Sequence, residues 1–199
     1  MKPIALALIA AATFAIGLAA HAQSSSDDPD EMGPVRAAAK ITGCTDLNIK
    51  GTARLTERPS KEGVKLVDVR LQVKGLPDGL HAVHIHEVGA CQPCAAAGGH
   101  FDPGPNGNAV PDGNHPFHSG DLVNLQVRNG RGTLHTTTSR ITLSDGPLSL
   151  FDQDGSAFIV HVNPDTYCPE GVVAGCAGGA RAACGVIERV TDRSDDWPD

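Results

Sequence analysis

From Val35 onward the chain alternates short apolar runs with clusters of Gly, Pro, Asn and Asp. The run Val64-Lys-Leu-Val-Asp-Val-Arg-Leu-Gln-Val changes character at almost every position. A strand with one buried face must do so, because successive side chains project to opposite sides. Similar β-branched-rich stretches predict strands over 38–42, 49–56, 64–74, 80–87, 122–128, 132–138, 157–162 and 184–190. Asn129-Gly130-Arg131-Gly132 carries the signal of a tight hairpin. No segment keeps a helical period for three turns. The pattern predicts an all-β antiparallel sandwich or barrel.

Two interruptions are long, residues 88–120 and 163–180, and both are rich in Gly, Pro or Asn. Long loops without their own secondary structure are usually functional, and each of these follows directly on a His-bearing strand. The first of those strands is His81-Ala-Val-His-Ile-His-Glu87. His84 and His86 are two positions apart and share one face, while Val83 and Ile85 turn to the other, toward a core. Paired imidazoles on one face of a strand make half of a metal site, and imidazole suits copper and zinc. His100, His118 and Asp121 follow in the first loop, and His161 closes the apolar run Ala157-Phe-Ile-Val-His. His81 shares the parity of Val83 and Ile85, which predicts a hydrogen-bonded structural His. His135 is expected to be exposed.

The first residues, Met1-Lys2-Pro3, a run apolar from Ile4 to Ala20 and Ala20-His21-Ala22, have the layout of a signal peptide over 1–22. The apolar run is short for a membrane span. Residues 23–34 are polar and acidic and are expected to form a disordered leader. The folded domain is expected over 35–190, with an acidic tail at 191–199. This organisation predicts an exported protein, periplasmic or secreted. The formal charge of −7 argues against nucleic acid or an anionic membrane as partner. Six cysteines in an exported chain predict up to three disulfides.

The segments Gly79-Leu-His-Ala-Val-His-Ile-His-Glu-Val-Gly89, Ala97-Gly-Gly-His-Phe-Asp-Pro103, His118-Ser-Gly-Asp-Leu122 and Gly179-Ala-Arg-Ala-Ala-Cys-Gly-Val-Ile187 resemble the copper/zinc superoxide dismutases, in that family's order. The resemblance covers roughly residues 38–189. It implies a Greek-key antiparallel β-barrel or sandwich with two long functional loops. It implies copper ligands at His84, His86, His100 and His161, with His100 bridging to a zinc also held by His118 and Asp121. Asp165 matches the acidic residue that links the two metal shells, Arg181 the guanidinium that guides the anionic substrate, and His100 a proton carrier. Cys94 and Cys184 match the family's disulfide. Cys168 and Cys176 share one loop and are expected to pair, which leaves Cys44 with Cys91.

The implied activity is dismutation of superoxide to oxygen and hydrogen peroxide at copper. The other reading is a copper-binding or copper-storage module with little turnover. All four copper ligands and Arg181 are present, which favours the enzyme. Superoxide is then the partner, with no nucleic acid and no membrane, and the resemblance allows a monomer or a homodimer. There are two departures. Where the family keeps a further zinc His, this chain has Pro105-Asn-Gly-Asn-Ala109, so the fourth zinc ligand is His115 or water, and zinc binding is expected to be weak or partial. The second loop has no Lys, its charges between 162 and 180 being Asp165 and Glu170, which predicts weak long-range steering.

Overall fold

The computed structural model describes residues 34–104, 115–169, 171 and 173–190. Nine strands follow in order: β1 (Val35–Gly43), β2 (Lys50–Pro59), β3 (Lys65–Lys74), β4 (Gly79–His81), β5 (Val83–His86), β6 (Leu125–Arg128), β7 (Arg131–Thr138), β8 (Ala157–His161) and β9 (Arg181–Arg189). Each stretch predicted from alternation contains a strand. In β3, Val67, Val69, Leu71 and Val73 are buried, and their polar neighbours face outward or are only partly covered. The β6–β7 hairpin turns on Asn129 and Gly130, both at positive φ (51° and 69°), the conformation that a two-residue primed turn demands.

The sheet order is β4-β6-β7-β3-β2-β1-β9-β8-β5, with every pairing antiparallel. The two outer members, β4 and β5, are one run of chain interrupted only at Ala82. Gly79–His81 pairs with β6, whereas Val83–His86 pairs with β8. At the break, Ala82 N–H donates to Asn163 O and His161 N–H donates to Ala82 O, each at 2.9 Å. One strand therefore serves both edges, and the sheet closes into a barrel. The connections from β3 to β4 and from β7 to β8 join strands that are not neighbours, as a Greek key requires. Inside lie Ile41, Leu55, Leu71, Val83, Ile85, Leu125, Phe158 and Val160 among others. Among the described residues no helix is long and apolar enough to cross a membrane.

The disulfides differ from expectation. Cys44 is bonded to Cys94 and Cys91 to Cys184, so the Cys94–Cys184 and Cys44–Cys91 pairs are replaced by an exchange of partners. The physical reason is convergence. Cys184 faces outward from β9, Cys44 follows β1 directly beside it, and the start of the loop after β5 folds over both, so all four cysteines pack in one cluster. In both observed pairs the Cα atoms stand 5.7 Å apart, inside the range a disulfide spans. Cys168 is bonded to Cys176, a separation of 8 residues. The expected signal segment, the leader up to residue 33, Asn106, Asn108 and the tail from 191 lie outside the described residues.

Candidate metal centre

Val83 and Ile85 belong to the barrel interior, so His84 and His86 project from its outer surface, yet both are buried. The loop after β5 covers them by returning along the free edge of that strand. Glu87 N–H donates to Gly99 O, Phe101 N–H to Ile85 O and Ile85 N–H to Gly120 O, at 2.9–3.0 Å. This makeshift pairing sets His100 beside His86 and Asp121 beside His84. Gly120 permits the approach, since a Cβ there would lie 2.2 Å from Ile85 O. On the other side of β5, the pairing of β8 with β9 slips by one residue between Val160 and His161. That irregularity brings Arg181 opposite His161, the kind of re-aiming that bulges accomplish near sites.

His84, His86, His100 and His161 thus form one buried group whose ligand atoms lie within 4.8 Å of one another. The outer nitrogens of three rings are tied to the protein. His84 Nε2 donates to Asp165 Oδ2 (3.0 Å), His86 Nδ1 to Gly98 O (3.0 Å) and His161 Nδ1 to Gly179 O (2.9 Å). A neutral imidazole has one N–H, so these bonds leave lone pairs at His84 Nδ1, His86 Nε2 and His161 Nε2. His86 Nε2 is buried without a hydrogen-bond partner. Burial lowers the pKa of His84 to about 4, and of His161 to about 3, with the neighbouring His84 charge adding to the effect at His161. Burial drives His86 well below the ordinary His value too. His84, His86 and His161 are therefore neutral at physiological pH and ready to accept a cation.

His100 belongs to a second group as well. Its Nδ1 is 2.7 Å from Asp121 Oδ1, while His115 Nδ1 and His118 Nδ1 each lie 3.2 Å from Asp121 Oδ2. His115 Nδ1 and both nitrogens of His118 are buried without hydrogen-bond partners. A closely packed set of His84, His100, His115 and Asp121 can also be drawn. His84, however, is already committed to the first group, with its other nitrogen on Asp165, whereas three Nδ1 atoms converge on the Asp121 carboxylate. The second donor set is therefore His100, His115, His118 and Asp121, three imidazoles and one carboxylate, which suits tetrahedral zinc. Burial opposes the charge on His115, but the adjacent carboxylates of Asp121 and Asp165 prevail and raise its pKa to about 9. Burial likewise opposes the carboxylates, and the histidines around them hold both Asp121 and Asp165 below the usual range.

Asp165 touches both groups, accepting from His84 Nε2 through Oδ2 and from His115 Nε2 through Oδ1 at 2.8 Å. Arg181 donates to Cys94 O (2.6 Å) and to Gly98 O. It lines a cavity of about 300 Å³ together with His86, His100 and His161, so the first group has an opening, which the second meets through the shared His100. A larger recess of about 430 Å³ is lined by Asp121, Arg140 and Tyr167 among others, and by none of the four histidines of the first group. His81 is buried, with its ring nitrogens 2.9 Å from the carbonyls of His161 and Pro77, and His135 is exposed.

Residues 49–187 match the family model described as copper/zinc superoxide dismutase. The chain belongs to that family. Copper–zinc superoxide dismutases of Deinococcus radiodurans and Caulobacter vibrioides are each 35% identical to it, over 73% and 76% of this chain and 81% and 85% of theirs. One of Mycolicibacterium paratuberculosis is 30% identical over 94% of this chain and 97% of its own. Among solved structures, the clock protein EA4 superposes with a TM-score of 0.63 at 28% identity, over 80% of this chain and 97% of that one.

The two donor sets fit the copper and zinc of the copper/zinc superoxide dismutases, and the fit rests on the unpartnered buried nitrogens just described. All residues singled out by the motifs are gathered here, including His115. Three further contributors stand outside the residues singled out from the sequence. The Gly98 carbonyl serves both His86 and Arg181, and Glu87 Oε1 anchors the same turn by accepting from Gly99 N–H at 2.7 Å. Asn124 bonds the backbone of Asp165. Glu87 adjoins the His-x-His motif and could have been suspected; a backbone carbonyl and a lone Asn could not.

Proposed function

We propose that this protein catalyses the dismutation of superoxide to oxygen and hydrogen peroxide, with copper held by His84, His86, His100 and His161. We assign zinc to His100, His115, His118 and Asp121. The observation that carries the reading is the set of inward lone pairs on rings whose other nitrogens are fixed by Asp165, Gly98 and Gly179, at the floor of a cavity that Arg181 lines. Because His115 completes a four-donor set, we read the zinc site as having its full complement of protein ligands.

Copper held by these histidines would supply the one-electron redox chemistry that dismutation needs. Arg181 attracts the anion and aligns it beside the histidines; its guanidinium is always charged, and the Cys94 and Gly98 carbonyls keep it from folding away. His100, anchored through Nδ1 at Asp121, turns Nε2 toward the first group. From that atom it delivers a proton to the departing peroxide. Two superoxide ions and two protons leave as one oxygen and one hydrogen peroxide. The buried ring of His84, fixed by Asp165, keeps a lone pair facing His161 and takes no proton of its own near neutrality.

We also read the protein as exported. All six cysteines are engaged in disulfides, which persist in oxidising compartments, and residues 1–22 have the layout of a signal peptide. Purified mature protein, loaded with copper and zinc and assayed for superoxide consumption, tests the activity. A folded, copper-loaded protein no faster than buffer would leave the copper-storage reading instead. N-terminal sequencing of protein recovered from outside the cytoplasm tests export; an intact Met1 on cytoplasmic protein would refute it.

A further inference from the structure

Asp165 accepts hydrogen bonds from His84 of one group and His115 of the other, yet it stands in a loop, four residues beyond the last strand residue of β8. Its carboxylate is fully used. Oδ2 takes His84 Nε2, and Oδ1 takes both His115 Nε2 and the backbone N–H of Tyr167 (2.6 Å). What fixes the chain beneath it is less obvious. Asp165 is bridged to Ala177 in an isolated antiparallel pair, with Thr166 N–H donating to Cys176 O. In that type of pair the residue's own N–H and C=O point away from the partner. They meet Asn124.

Asn124 Oδ1 accepts from Asp165 N–H at 2.8 Å, and Asn124 Nδ2 donates to Asp165 O at 2.9 Å. The amide acts as a peptide group of a missing neighbouring strand. Its orientation is unambiguous, because a flipped amide would set donor against donor and acceptor against acceptor. Asn124 is also three residues past Asp121, in the segment that brings Asp121 alongside His84. A single side chain thereby joins the loop carrying His118 and Asp121 to the loop carrying Asp165.

We propose that Asn124 is a positioning residue for both metal-type groups: by holding the Asp165 backbone on two sides, it fixes the carboxylate that orients His84 and His115. The inference rests on the copper and zinc assignments above. The coupling is unequal. His86 and His161 are oriented by the carbonyls of Gly98 and Gly179, which Asn124 does not touch, so only one ring of the copper set depends on it. In the zinc set, His115 has Asp165 as the acceptor for its Nε2–H, and His118 and Asp121 share a segment with Asn124. Zinc should suffer more than copper.

The test compares wild type, Asn124→Ala, Asn124→Asp, Asp165→Asn and Asn124→Ala/Asp165→Asn, all as full chains, with zinc and copper titrated separately against competing chelators. Copper(II) electron paramagnetic resonance is recorded on the loaded proteins. Asn124→Ala should lose about 10- to 100-fold in zinc affinity, the usual effect of removing an outer partner of a ligand, and less in copper affinity. Its copper spectrum should shift as His84 turns. The double variant should bind zinc no more weakly than Asp165→Asn alone, because residues acting through one another are not additive. Asn124→Asp keeps the side-chain volume and the acceptor for Asp165 N–H but sets a second acceptor against Asp165 O, so it gives an independent test should Asn124→Ala fail to fold; it too should lose zinc affinity more than copper affinity. Additive losses in the double variant, or a folded Asn124→Ala or Asn124→Asp with wild-type zinc affinity and spectrum, would overturn the role of Asn124. A wild type that binds neither ion would overturn the metal assignments, and this inference with them.

Discussion

His84 Nδ1 and His161 Nε2 face each other at 3.2 Å, each with its ring's N–H turned the other way, toward Asp165 and Gly179. Two lone pairs at that distance repel unless a proton or a metal ion lies between or beside them. Burial disfavours the proton, as the lowered pKa values of both rings record. The pair is built for a metal. His161→Ala should therefore cut copper affinity and nearly abolish superoxide consumption while leaving the circular dichroism of the barrel intact. Wild-type activity in a folded His161→Ala protein would remove His161 from the copper set.

The metal-free protein should be most stable close to pH 6.5. His84 and His161 have folded pKa values of about 4 and 3, below the ordinary 6.5, so below pH 6.5 the unfolded chain binds more protons. Stability then falls with acid, with a slope of up to about 1.4 kcal/mol per pH unit for each group. His115 acts in the opposite sense. Its folded pKa is raised to about 9, so its contribution is complete below pH 6.5 and disappears as pH rises through 9. Thermal unfolding of chelator-treated protein from pH 4 to pH 10 measures both limbs. A steady rise through pH 9 would mean that His115 is neutral in the metal-free fold.

Zinc uptake should release a proton at neutral pH. In the metal-free protein His115 is protonated up to about pH 9, and its Nδ1 must be bare to bind an ion. Calorimetric titration with zinc in buffers of different ionisation enthalpy reads the number released. His115→Ala should show about one proton fewer and a zinc affinity lower by at least 10-fold, the scale on which even an outer partner of a ligand matters. Equal proton release and tight zinc in that variant would exclude His115 as a ligand.

Arg181→Glu should lower kcat/KM by roughly 10-fold or more, since it reverses the one fixed charge among the described residues that line the cavity, and steering effects span 10- to 1,000-fold. Copper content should change little, because Arg181 supplies no ligand atom. The wild-type rate should depend only weakly on ionic strength, given a second loop without Lys or Arg from 162 to 180. A steep salt dependence would point to steering by charges elsewhere on the surface.

Peptide mapping without reduction should recover Cys44 with Cys94, Cys91 with Cys184, and Cys168 with Cys176. Cys91 and Cys184 are separated by 93 residues, and closing such a loop is worth about 4–5 kcal/mol in the chain-entropy model. Cys184→Ser should destabilise the protein on that scale. Recovery of a Cys94–Cys184 peptide would restore the pairing that the family motif implies.

The strands and copper-type ligands were legible because both obey short-range rules. Alternation marks β3 in residues as few as Val67 to Val73, and a spacing of two marks His84 and His86 as neighbours on one face. The four clustered cysteines were not legible in the same way, since Cys91 and Cys94 lie three residues apart and the fold of that short stretch chooses between them. His115 stayed open for a related reason: its separation from His118 says nothing of a ring turned toward Asp121 and Asp165. The break at Ala82, which divides the predicted strand over 80–87 into two edges of the sheet, follows from closure of the whole barrel and leaves no mark on the local pattern.

That break has a mechanical consequence. His84 and His86 stand two and four residues past Ala82, and His161 donates its backbone N–H to the Ala82 carbonyl. The histidines are thus mounted on the seam of the barrel, where opening begins if the first and last members of the sheet part. A cation held by His84, His86 and His161 would clasp β5 to β8 just past the break, so that parting these two strands would tear the ligand set.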